Sequence, residues 1–193
     1  MKKTNHNTKS RIVTAAWQLF YEQGFDRTTV DEVVELSGTS KGSFYHYFSS
    51  KEALLGSLAH LFDEKYIELE PTLDYTEGCM NILYTLNHEL FLMIENNIDV
   101  DLLARLYAGQ LMRKGERELT DRSRYYYKLL RRIVLRGQES GEITRRMPAS
   151  EVVRLYALSE RALLYDWCLH GGEYSLTEYS GTVLPLFLSG LRG

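Results

Sequence analysis

The stretch from Thr28 to Lys51, TTVDEVVELSGTSKGSFYHYFSSK, limits what this chain can fold into more than any other part of it. Thr29 and Glu32 fit a capping box, in which two residues at a helix start each close a backbone donor that would otherwise stay orphaned. Val30, Val33 and Val34 then place one apolar side on a helix that runs to about Ser37. Gly38 breaks it. Thr39 or Ser40 can cap a second short helix that ends near Tyr47 or Phe48. Ser49 and Glu52 form another capping box, opening a helix with Leu54, Leu55, Leu58, Leu61 and Phe62 that reaches about Glu70, before Pro71. Two short helices around a glycine turn form a helix-turn-helix, a unit that lays its second helix in the major groove of DNA.

The second helix has the wrong composition for a core element. Ser, Thr, Gly and Lys give it poor intrinsic helix propensity, so neighbours must hold it, with Phe44 and Phe48 as anchors. What remains outward is small and hydrogen-bonding. Small side chains let a helix backbone approach the groove floor, while Lys and Tyr reach phosphates or bases. Arg, Asn and Gln, the usual bidentate readers of guanine and adenine, are missing from it. Base reading would therefore lean on Lys41, on hydroxyls, on a Thr39 methyl against thymine and on DNA shape. Upstream, Ile12, Ala15, Ala16, Leu19 and Phe20 define a helix over 8–23. Gly24 stands where a left-handed C-terminal cap belongs, and Phe25 is expected to tuck back onto the helix.

The rest of the chain reads as a larger helical body. Periodicity predicts helices over Thr76–Asn96, Val100–Lys114 and Asp121–Ser140, the last stopped by Gly141. A long helix follows to His170, with Pro148 in its first turn and Gly171–Gly172 ending it. A last helix starts at a Ser175/Glu178 capping box and ends at Gly190. Lys114–Thr120 and Thr144–Met147 are the expected loops. The predicted fold class is all-α. Its expected domains are a helix-turn-helix DNA-binding domain over 1–50 (core 8–55) and a helical ligand-binding and dimerisation domain over 51–193.

Bulk properties narrow the function. The net charge is -3 over 193 residues, and no strongly basic patch announces a nucleic-acid binder. Cys79 and Cys168 lack pairing or metal spacing, so both are expected as buried small hydrophobes. No apolar run is long enough to span a bilayer, and the basic N-terminus lacks the apolar core of a signal peptide. The expected location is cytoplasmic. No nucleophile–base pair, phosphate-binding glycine loop or His/Cys/Asp/Glu cluster with metal spacing is apparent, so the chain is read as no enzyme, with no metal and no cofactor.

Thr28-Thr29-Val30, Gly38, Ser40-Lys41-Gly42, Phe44 through Phe48 and Lys51 through Leu55 together resemble the DNA-binding head of the TetR family of transcriptional regulators. The resemblance continues weakly through the body and sharpens again at Gly141-Glu142-Ile143 and at Leu163-Leu164-Tyr165-Asp166-Trp167 through Tyr174-Ser175-Leu176. The resemblance implies a three-helix head and a body of about six helices. It implies DNA contacts from Thr28, Thr29, Thr39, Ser40, Lys41, Gly42, Ser43, Tyr45, His46 and Lys51, with Arg11 and the basic tail adding flanking phosphate contacts. It implies a pocket for a small organic molecule, for which Tyr84, His88, Phe91, Tyr107, Met112, Tyr126, Tyr165 and Trp167 are the candidates. It also implies a homodimer through the last two helices, with Val153, Tyr156, Ala157 and Leu164 on one and Tyr179, Val183, Leu186 and Phe187 on the other. Ala157, Ala162 and Ser180 would allow close helix approach. The partners implied are a pseudo-palindromic double-stranded operator, a ligand and a second copy of the chain, with no membrane. The expected function is a repressor released when ligand shifts the helix beginning at Lys51. An activator, a regulator answering to a protein partner, and an interaction protein that has lost DNA binding are the alternatives.

Overall fold

The computed structural model describes residues 3–112 and 117–193, and nine α-helices account for most of them. No β-strand forms among the described residues; a single isolated antiparallel bridge joins Ile143 and Arg192. The chain divides into two compact units, Met1–Ala59 and His60–Gly193.

The first unit contains α1 (Lys3–Gln23), α2 (Val30–Ser37) and α3 (Lys41–Tyr47). Gly24, at φ 85°, closes α1 in the left-handed region, and the Phe25 ring packs 5.0 Å from that of Phe20. The Thr29/Glu32 capping box is complete: Thr29 accepts from the Glu32 amide, and the Glu32 carboxylate accepts from the Thr29 amide at 2.7 Å. Those bonds hold the Glu32 carboxyl below its ordinary pKa. Gly38 ends α2 at φ 58°. A side chain there would be strained by that backbone, and its Cβ would lie 2.7 Å from Arg11 Nη2. Ser40, of the two candidates, caps α3 by accepting from the Ser43 amide. Ile12, Ala16, Val33, Phe44 and Leu54 fill the core of the unit.

After Phe48 the chain differs from expectation. The single helix predicted from Ser49 to Glu70 is instead a 3-10 segment, Glu52–Ser57, followed by α4 (Leu58–Leu69). Leu54, Leu55, Gly56 and Ser57 are buried in succession along the 3-10 segment, and the Ser57 hydroxyl accepts from Trp17 Nε1 at 2.8 Å.

The second unit holds the rest of α4 and α5 (Cys79–Asn97), α6 (Val100–Met112), α7 (Tyr125–Ser140), α8 (Ala149–Leu169) and α9 (Leu176–Leu188). α5 packs against both α7 and α9, while α8 lies on α6, α7 and α9. Gly141 stops α7 at φ 83°, and Pro148 is the N-cap of α8, one position before its first turn. Ser175 caps α9 by accepting from the Glu178 amide. Of the predicted loop Lys114–Thr120, positions 114–116 lie outside the described residues; Glu118–Thr120 is a short 3-10 turn. Two carboxylates from distant parts of the chain close helix N-termini. Glu142 accepts from the Cys79 and Met80 amides at 2.6 and 2.8 Å, and Glu95 accepts from the Thr177 amide at 3.0 Å. Arg124 donates twice to Asp63, at 3.1 and 2.9 Å, in a nearly buried pair that also takes the Tyr126 amide.

Candidate nucleic-acid interface and sensor body

In the head, α3 buries Phe44 and seats Phe48 beneath its end. Lys41, Gly42, Tyr45 and His46 are exposed on the opposite side and Ser43 is half-exposed, so one helix face carries the small and hydrogen-bonding residues. Tyr45 is 54% exposed, with its ring edge-on to Phe44 at 5.3 Å. Lys41 pairs with Asp31 at 2.7 Å, and the hydrogen bond and charge of Asp31 raise its pKa. Both partners are exposed, and such a pair is worth little in water, so the ammonium can exchange Asp31 for a phosphate. The Ser40 hydroxyl serves the helix cap and also bonds Ser43 Oγ at 3.0 Å, while Thr39 Oγ1 bonds Ser37 Oγ at 2.7 Å. Gly42 leaves open space beside the helix backbone, its nearest neighbour being Ser40 Oγ at 3.8 Å from a built Cβ.

The body holds two distinct polar features. The first is buried. Glu160 accepts from Tyr126 Oη at 2.5 Å and from Asn87 Nδ2 at 3.1 Å. Burial raises its pKa, more than these hydrogen bonds lower it. Tyr156 is fully buried and donates to the Leu83 carbonyl at 2.8 Å, while the buried hydroxyls of Tyr66 and Tyr84 have no hydrogen-bond partner among the described residues. The second feature is a cavity of about 260 Å³ opening between α7, α8 and the turn before α7. Val153 and Ala157 form its apolar floor, and Arg122, Lys128, Arg131, Arg154 and Arg161 line it.

Residues 12–58 match the family described as bacterial regulatory proteins, tetR family. The head of this chain is thus a TetR-family domain. An uncharacterized HTH-type transcriptional regulator, YvdT of Bacillus subtilis (strain 168), is 28% identical over 145 residues, covering 75% of this chain and 74% of its own. Two solved structures share the fold. FadR from Bacillus subtilis in complex with stearoyl-CoA superposes with a TM-score of 0.69 at 22% identity, over 95% of this chain and 100% of its own. FadR from Thermus thermophilus, a TetR-family repressor in complex with lauroyl-CoA, does so with a TM-score of 0.72 at 23% identity, over 95% of each chain.

Around this TetR-family head and in the body, several expected site residues take other places. In the head, Thr28 is buried, its hydroxyl donating to the Gly24 carbonyl at 2.9 Å; it locks the turn into α2 and is not presented to a phosphate. Lys51 donates to the Phe25 and Thr28 carbonyls at 2.6 and 2.8 Å and sits 4.3 Å from the Phe25 ring centroid. A third, longer bond to the Asp26 carbonyl at 3.5 Å completes a clamp on the α1–α2 turn. Arg11 donates to the Ser37 carbonyl and, at 2.8 Å, to the Gly38 carbonyl, closing the end of α2 instead of reaching outward. Thr29, Thr39, Ser40, Lys41, Gly42, Ser43, Tyr45 and His46 stay at or near the surface.

In the body, Phe91, Tyr126 and Trp167 are buried and Tyr84 and Tyr107 are half-buried. Met112 is 85% exposed, Tyr165 is 48% exposed and His88 is exposed, so these three face away from the core. None of the eight lines the α7–α8 cavity. The expected interface residues also divide. Val153, Tyr156, Ala157 and Leu164 are buried inside the protomer, as is Ser180, whereas Tyr179, Leu186 and Phe187 are exposed and Val183 half-exposed. On α8 the outward apolar row is instead Leu158, Ala162, Tyr165 and Leu169. The helix carries two apolar faces, and periodicity alone does not say which of them turns inward.

The cationic cavity was missed from sequence. Its signal was available: Lys128 and Arg131 lie three apart on α7, and Arg154 and Arg161 seven apart on α8, both helical-face spacings.

Proposed function

We propose that this protein is a homodimeric repressor that binds a pseudo-palindromic double-stranded operator and leaves it when a small organic ligand occupies the body. The observation that carries the reading is the exposed face of α3, where Lys41, Gly42, Tyr45 and His46 point out of a head anchored by buried Phe44. A helix this small on its outer side can lie deep in a major groove. Thr39, Ser40 and Ser43 supply hydroxyls to base edges, Lys41 supplies a mobile charge, and Tyr45 and His46 hold phosphates. The outward apolar rows of α8 and α9, with Leu158, Tyr165, Leu169, Leu186 and Phe187 exposed, support a two-fold pairing of protomers. Such a dimer would set two recognition helices roughly 34–36 Å apart, one turn of B-DNA.

Support for a ligand comes from the FadR neighbours, which hold stearoyl-CoA and lauroyl-CoA, and from the buried hydroxyls of Tyr66 and Tyr84, unpartnered among the described residues. An amphiphile of that kind is the proposed effector. It acts only to the extent that it binds the released conformation better than the operator-bound one.

The test is selection of operator DNA from a random duplex pool by the full-length protein, followed by fluorescence anisotropy at fixed salt. The expected result is a two-fold symmetric site bound by a dimer and released by a fatty acyl-CoA. Recovery of no sequence preference would overturn the regulator reading. A specific site that no acyl-CoA releases would overturn the ligand part alone.

A further inference from the structure

We infer that the cavity between α7 and α8 is a binding site for the phosphate-bearing head of an organic ligand. The inference deepens, and rests on, the reading of the body as a ligand sensor. Half of the residues lining the cavity are cationic, namely Arg122, Lys128, Arg131, Arg154 and Arg161, and among the described residues no carboxylate lines it. This convergence occurs on a chain whose net charge is -3. Like charges gathered around one concave space repel one another, and an anion seated between them offsets that repulsion.

The local pairing leaves these cations available. Among the described residues, Arg122, Lys128 and Arg131 make no ion pair, and Arg154 meets only Glu151, at 3.5 Å in an exposed pair of little worth. Arg161 Nη1 donates to Tyr127 Oη at 3.3 Å, and that hydroxyl donates in turn to the Leu119 carbonyl at 3.0 Å. The chain of bonds sets the Arg161 guanidinium at the cavity wall. Thr120 and Ser150 add hydroxyl donors to the lining.

Size and charge together choose the ligand class. Sites for whole drug-sized molecules occupy roughly 300–1,000 Å³, and this cavity, at about 260 Å³, suits one head group. A lone carboxylate would use one of the cations. A phosphate or diphosphate carries enough charge and acceptor oxygens to use several, and guanidinium groups match phosphate oxygens in pairs. Val153 and Ala157 give the head group an apolar floor.

The experiment is calorimetric titration of the full-length protein at low, fixed salt with lauroyl-CoA, coenzyme A and laurate. The wild-type protein is expected to bind both CoA compounds. Arg131→Glu/Arg154→Glu should weaken both at least tenfold and leave laurate unchanged, whereas Arg131→Lys/Arg154→Lys should retain most of the affinity. Both side chains are exposed, so circular dichroism should show the reversed variant folded; Arg122→Ala, in the turn before α7, provides a milder variant with the same expected direction. Equal binding of the CoA compounds by wild-type and reversed protein, or no binding of either by the wild type, overturns the site. Operator release is followed separately. CoA binding through Arg131 and Arg154 with the operator complex unaffected leaves the site standing and removes the release mechanism. Operator release by laurate, with the CoA compounds indifferent to the arginines, removes the site and leaves release by ligand intact.

Discussion

In the head, helix ends are closed mostly by chain neighbours: Thr29 with Glu32, Ser40 with Ser43, each three residues apart. In the body α9 keeps a local cap, Ser175 with Glu178, but side chains from far along the sequence join the task. Glu142 closes the start of α5 from 63 residues away, and Glu95 closes α9 from 82. The difference shows why a head of this kind can be recognised in a short stretch while the body cannot. Local caps leave a local pattern of residue types. Distant caps leave only a glutamate, indistinguishable in the sequence from any surface glutamate.

Substitutions can break or sharpen this contrast. The largest expected effect is Phe44→Ala in the head, where loss of a fully buried ring should cost roughly 3–5 kcal/mol and melt the head before the body in a thermal scan. Loss of both units together would show that the two are not independent. In the body, Asp63→Ala strips the Arg124 guanidinium and the Tyr126 amide of their shared carboxylate. It should cost about 3 kcal/mol or more by chemical denaturation, and a loss under 1 kcal/mol would mean that water or another side chain replaces the carboxylate. Lys51→Ala and Lys41→Ala form the sharpest pair within the head. Lys51 ties down the α1–α2 turn and should cost about 1–3 kcal/mol of stability through its lost carbonyl bonds. Lys41 should leave stability within about 0.5 kcal/mol while weakening operator binding and lowering the salt slope by about one. The reverse pattern would put the phosphate contact back at Lys51.

The smallest effect is a pH dependence. Burial raises the Glu160 carboxyl above its ordinary pKa, so the folded state holds that proton more tightly than the unfolded one. The resulting penalty is absent below the unfolded glutamate value, grows as pH rises through the raised folded value, and is full above it. Glu160→Gln should therefore flatten the decline of the unfolding temperature with rising pH. The depressed Glu95 carboxyl, where bonds from Thr177 and Ser175 outweigh burial, contributes with the opposite sign: its stabilisation is present above the unfolded value and lost as pH falls. An unchanged pH profile in Glu160→Gln would show that its proton is not linked to folding.

How far the site was legible follows the same line. Gly24, Gly38 and Gly141 marked helix ends because φ values of 85°, 58° and 83° favour glycine. Phe44 and Phe48 were legible as anchors because few apolar residues on that short helix compete for the inside. The backbone-carbonyl bonds of Arg11, Thr28 and Lys51 were not legible, because a cation or hydroxyl near a helix end reads the same whether it faces a phosphate or a backbone carbonyl. In the body, α8 is apolar on two sides, and Tyr156 and Tyr165 differ only in which side faces the neighbouring helices.

The sequence by itself determined an all-helical chain, the boundaries of the helix-turn-helix and the polar face of its second helix. Those depend on caps, breakers and periodicity acting within a few residues. Only the tertiary structure decided which tyrosines are buried, which row of α8 is left uncovered, where Lys51 spends its protons and that five cations share one cavity. These outcomes depend on contacts between positions far apart in the chain, where the same residue type satisfies either outcome and packing selects between them.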